Sequence, residues 1–158
     1  MPTLAEFQAF LANALQVPAG VLSLSAAWVG YAFNIAMWTV NPLIAQWSGP
    51  SPPTGWGIYQ IAVYNLGADQ LINMAQDTPG ALPNGTGGYW EAQRAAFKIA
   101  SFQAGVVNTA GDQGTSDSLT VPEVYQGLTT DQVQNLKTPW GRVYIGIASK
   151  VGSNWGLS

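Results

Sequence analysis

Leu4, Phe7, Leu11 and Ala14 recur at three- and four-residue steps, the spacing of one helix face. Thr3 and Glu6 precede them at capping-box spacing, so a helix is predicted over residues 3–15, ended by Val17-Pro18-Ala19-Gly20. A second helix is expected to start near Ser23 or Ser25 and to run through Trp28, Tyr31, Ile35 and Trp38 toward Trp47. It is apolar nearly all round, which predicts burial on every side, in a large core or between subunits. Pro42 should kink or restart it.

Ser48 to Gly55 reads as a stiff turn-rich connector. A third helix is predicted over residues 57–76. Its apolar stripe is Ile61, Tyr64, Ala68, Leu71 and Ala75, and its polar stripe Asn65, Asp69, Asn73 and Gln76. After a Pro/Gly loop at 78–88, a fourth helix is expected near 89–107, with Glu91, Arg94, Lys98 and Ser101 on its wet face. Residues 110–120 read as a flexible polar loop, and 119–125 as a short strand or an extended arm. Thr129-Thr130-Asp131 should cap a short helix to about Leu136. Thr138-Pro139 fits the N-cap and first position of a last helix through Val151, with Trp140, Val143, Ile147 and Val151 as its apolar face.

The expected fold is therefore mostly α: a single domain over 1–158, a bundle of four to five helices. Its parts are a helical core at 3–107, a loop or arm at 108–129, and C-terminal helices with a flexible tail at 130–158.

Composition narrows the chemistry. Cysteine and histidine are both absent, which excludes disulfides, thiolate nucleophiles, Ser-His-Asp triads and every His- or Cys-based metal site. Only 8% of residues are charged, against about 25% in an ordinary soluble domain. Aromatics are plentiful, with seven Trp, six Tyr and five Phe. Aromatics without charge are the composition of a buried protein–protein contact. A net charge of −3, with no basic stripe, argues against nucleic-acid binding as the main task.

From Phe7 to Ala68 there is no Asp, Glu, Lys or Arg. Within this gap, 21–47 is long enough to span a bilayer on length alone. Ser23, Ser25, Asn34, Thr39, Asn41, Pro42 and Gln46 interrupt it, and no flanking Lys or Arg sets a topology, so a membrane span is the weaker reading. The opening MPTLAEFQ lacks the basic region of a signal peptide.

Candidate sites are few. Asp112 and Asp117 lack the ligand spacing of a calcium loop and read as solvated. Gly55-Trp56-Gly57 lacks the third glycine and preceding strand of a dinucleotide fingerprint, and Asn84-Gly85-Thr86 is a bare glycosylation sequon. Arg94, Lys98, Lys137, Arg142 and Lys150 are the whole basic complement, read as solvated or, in a ring, as charges that meet a lumen or a neighbour's Asp. Trp47, Trp56, Trp90, Trp140 and Trp155 form an expected exposed-aromatic set that flanks loops and termini, some of it core. Trp28, Trp38, Trp47, Trp56, Trp140 and Trp155 are the expected anchors at subunit contacts, because Trp is enriched among interface hot spots. No catalytic residue, cofactor or metal is expected.

Three segments together carry a family resemblance: WVGYAFNIAMWTVNPLI, IYQIAVYNLGADQLINMAQD and LTTDQVQNLKTPWGRVYIGIASKVG. They resemble the small helical head–tail connector proteins of tailed bacteriophages, in layout over 3–107 and in character beyond it. The resemblance implies a structural virion component, made in the host cytoplasm. It would be repeated around a ring, a dodecamer matching the portal. Its partners would be its own copies, the portal protein and a tail protein, with DNA only passing through the lumen and no membrane. Residues 108–129 and the SNWGLS tail would be the arms. Asp69, Asp77, Asp112 and Asp117 would supply the lumen's acidity, with Arg142 a further candidate for inter-subunit pairing. A tail terminator is a close alternative, and a holin-like membrane protein one of a different class.

Overall fold

The computed structural model describes residues 1–47, 55–77, 88–101, 109–112, 115–118 and 129–151. Among these the chain forms eight α-helices, one 3-10 turn and a two-stranded hairpin. The mostly helical bundle expected from the periodicity is the observed architecture.

Helix α1 (Leu4–Ala14) begins at Thr3, whose Oγ1 accepts from the Glu6 amide at 3.2 Å. The rest of the box is altered: Glu6 Oε2 accepts from Thr3 Oγ1 at 2.9 Å and from the Tyr64 hydroxyl at 2.8 Å, while Thr3 N donates to Tyr64 Oη at 3.3 Å. The cap thus ties α1 to a helix more than fifty residues further along the chain. Gln16 ends α1 with φ 54°, so that Val17 N turns back to Leu11 O at 3.1 Å.

The long apolar run is three helices: α2 (Ala19–Leu24), α3 (Ala26–Thr39) and α4 (Leu43–Trp47). The break between α2 and α3 falls at Ser25, whose side chain makes no cap bond. Its Oγ instead accepts from Trp90 Nε1 at 2.8 Å, in the interior. Pro42 stands before α4, where Asn41 Oδ1 accepts from Leu43 N at 2.8 Å. No helix among the described residues is long and apolar enough to cross a membrane.

Helix α5 (Ile58–Met74) is the axis of the fold, and every residue from Ala62 to Asp69 is buried. On one side lies α3, on another the last helix, α8 (Pro139–Val151), with α1, α4 and α6 (Tyr89–Ala96) filling in. Phe7 reaches α5 at Gly67, where a Cβ would stand 2.9 Å from the Phe7 ring. A mid-helix glycine costs about 1 kcal/mol against alanine, and here it admits the ring. Phe7 stacks on Phe33 and Tyr64, and Phe10 and Trp56 complete the aromatic cluster.

The polar stripe expected on α5 is a correction. Asn65 and Asp69 are interior, because α8 covers the side that the spacing left for water. The fourth helix is also shorter than expected. After Ala96 the chain turns through Lys98, at φ 52°, into the 3-10 turn Ile99–Ser101. Residues 109–112 and 115–118 are not a plain loop: β1 (Thr109–Asp112) and β2 (Thr115–Ser118) pair antiparallel, Ala110 opposite Asp117. The 119–125 segment lies outside the described residues.

Helix α7 (Thr130–Asn135) leads to α8 as Thr138-Pro139 predicts, with Thr138 Oγ1 accepting from Gly141 N at 3.0 Å. The buried face of α8 is shifted from expectation: Gly141 and Tyr144 are interior, and Val143 is 47% exposed.

Candidate functional site

Two features stand apart from ordinary packing: an uncharged face on α3 and a buried carboxyl at the junction of α5 with α8.

Along α3, Ala27, Tyr31, Asn34 and Trp38 are all exposed. Their four- and three-residue steps put them on one helix face. Tyr31 is 56% exposed and Trp38 91%. Leu24 before this face and Leu43 after it are also exposed. Neither α3 nor its flanking helices contain an ionisable Asp, Glu, Lys or Arg. The opposite face, Val29, Ala32 and Ala36, is sealed into the core. Within one chain, α3 is therefore buried on one face only.

The other expected anchors separate. Trp56 makes edge contacts with Phe10 and Tyr64, at centroid distances of 5.6 and 5.2 Å. Trp140 stands edge-on to Phe97 at 5.5 Å, and Trp28 is half-buried against the core. These three have intramolecular partners. Trp90, grouped by sequence with the loop-flanking aromatics, is 1% exposed and is a core residue. Trp155 and the side chain of Trp47 lie outside the described residues.

Asp69 is wholly interior and is not a lumen charge on this chain, a correction that follows from α8 lying over it. Its Oδ1 accepts from the Thr138 hydroxyl, and its Oδ2 is buried without a hydrogen-bond partner among the described residues. Burial pushes this carboxyl up to about 7, against the opposing pull of the Thr138 bond, of the neighbouring Asn73 amide, which donates to the Asp69 backbone carbonyl at 2.8 Å, and of the Lys137 charge. Gly141 makes the junction possible. A Cβ there would stand 1.9 Å from Asn135 O and 2.7 Å from Asp69 Oδ1. Asp69 itself lines a cleft of about 570 Å³, together with Thr39, Gln70, Asn73, Gln134 and Lys137 among others. A carboxyl that titrates near neutrality beside a cleft fits a general acid. Asp69 fails the geometric requirement, since one oxygen is held by Thr138 and the other has no access to solvent.

Asp77 is placed at the start of α6. Its Oδ1 accepts from Trp90 N and its Oδ2 from Glu91 N, each at 2.9 Å, so it caps α6 from the chain that follows α5. Arg94 closes the loop from the other side. It donates to Ile72 O at 3.2 Å and Ala75 O at 2.6 Å, the carbonyl end of α5. Its place on a wet face is corrected to a half-buried cap, while Glu91 and Lys98 are exposed as expected. Arg142 is exposed on α8 and its Nε donates to Thr138 O at 3.3 Å. Asp112 and Asp117 are placed by their backbone, in β1 and β2.

Among the described residues, no group of three or more carboxylates could hold a metal ion. No protein-family model, curated protein or solved structure matches the chain at a significant level.

Proposed function

We propose that this chain is a structural subunit of a tailed-phage virion, a ring-forming head–tail connector seated between portal and tail. The observation that carries the reading is Trp38, 91% exposed on a helix face with no ionisable Asp, Glu, Lys or Arg. A Trp left in water forfeits a large apolar burial, and such a side chain at the centre of an uncharged face is what an interface anchor requires. The poverty of charge over 7–68 supports the same reading, and so does the resemblance of the three segments to connector proteins. The subunit associates with copies of itself through α3, and its remaining partners are the portal and a tail protein. DNA passes through the ring without being read.

A tail terminator would use the same face in the same way. The holin-like alternative draws no support from helices this short. Electron microscopy of the purified full chain, without detergent and over a range of concentrations, tests the proposal. Closed rings of uniform size are the expected result, and particles no larger than one chain at every concentration contradict it.

A further inference from the structure

The junction between α5 and the C-terminal unit has a property that the assembly reading does not use. Residues 129–151 meet α5 through a buried polar contact: Thr138, itself fully buried, against Asp69. Thr138 also caps α8, since its Oγ1 accepts from Gly141 N at 3.0 Å. One hydroxyl therefore starts the helix and docks it. With Oδ1 taken by Thr138, the oxygen that carries or loses a proton is Oδ2, which has no partner among the described residues.

We propose that the Asp69–Thr138 contact is a pH-operated latch that holds the C-terminal helices against α5. The protonated carboxyl is neutral and suits the buried junction. The carboxylate is a buried charge whose Oδ2 has no partner among the described residues, and lifting α8 away returns it to water.

The charges around the junction do not reverse this. Helices α3 and α4 carry no Asp, Glu, Lys or Arg. Glu6 of α1 is engaged with Tyr64, and Arg94 of α6 with the carbonyl end of α5. On α8, Tyr144 is held neutral by burial, which raises its pKa, and Arg142 is exposed. Lys137, on the turn between α7 and α8, favours the carboxylate, yet burial outweighs it.

The sign follows from linkage. The docked carboxyl titrates near 7, while a solvated Asp has the ordinary value of 3.8. Docking is strongest below the lower value, weakens as pH rises between the two, and is constant above the upper one. Each pH unit inside that window changes the docking equilibrium by up to about tenfold.

Amide hydrogen exchange of the full chain from pH 4 to 8.5, corrected for intrinsic rates, tests the latch. Protection across residues 139–151 should fall by up to about tenfold per unit and level off near pH 7. Asp69→Asn, which keeps the Thr138 acceptor and cannot ionise, should abolish the slope. A flat wild-type profile overturns the proposal. So does an unchanged slope in Asp69→Asn, or an equal slope in α1, which would make the effect global. If Asp69→Asn does not fold, the wild-type Asp69 carboxyl carbon decides by NMR: titration near 7 supports the latch, and titration near 4 overturns it.

Discussion

Trp90 donates its indole N–H to the Ser25 hydroxyl at 2.8 Å, with both residues buried and 65 positions apart in the chain. The bond fastens α6 to the break between α2 and α3, and it uses a serine that local rules would spend on a helix cap. Ser25→Ala leaves the indole N–H unpaired in the interior. The expected loss is about 1–3 kcal/mol, read as a lower denaturant midpoint with an unchanged slope. Trp90→Phe in the same background should recover part of the loss, since it removes the orphaned donor.

Gly141 and Gly146 lie on the same helix and should respond oppositely to alanine. At Gly141 a Cβ would run into Asn135 O and Asp69 Oδ1. Forcing the α7–α8 turn apart should cost about 1–3 kcal/mol. At Gly146 a Cβ meets nothing within 4 Å. There alanine should stabilise by about 0.5–1 kcal/mol, from the lower entropy of the unfolded chain and better helix propensity. Thermal unfolding of the two variants side by side checks both signs.

Asp77 satisfies two orphan amides at the start of α6. Asp77→Ala should cost about 0.5–2 kcal/mol, with faster amide exchange confined to residues 89–96. Equal acceleration in α1 would show that the carboxylate supports more than this cap.

Glu6 brings a pH dependence opposite in sign to that of Asp69. Its hydrogen bond from Tyr64, and then that from Thr3, hold its carboxyl below the ordinary 4.5. The stabilisation is present above that value and is lost as pH falls through the lowered one. The partner phenol is raised to about 12, by burial first and then by Glu6. Glu6→Gln should flatten the loss of stability on acidification below the ordinary 4.5, measured by urea midpoints at each pH.

What could be read from the residues in order was mainly what short-range chemistry dictates. The Thr3 start of α1 and the Thr138-Pro139 start of α8 are capping rules, and both stand in the structure. Asp69 was misplaced because its spacing marks a polar side of α5, and only the arrival of α8, some seventy residues later, turns that side inward. Trp90 was misplaced for a related reason. It adjoins a Pro/Gly loop, and nothing nearby in the chain reveals that Ser25 will receive its indole. The exposed face of α3 was illegible because the helix is apolar all round, so periodicity could not say which side α5 would take. The hairpin at 109–118 lacks the alternating apolar pattern that signals strands.

The assembly account rests on the outward face of α3, and Trp38 is its most exposed aromatic. Trp38→Glu places one charge at the centre of that face without touching the core. Size-exclusion chromatography with light scattering, on wild type and variant at matched concentrations, measures the consequence directly. The account predicts a multimeric wild type and a variant that elutes as a folded single chain. A wild type that stays one chain at every concentration, or a variant that assembles as wild type does, would contradict it.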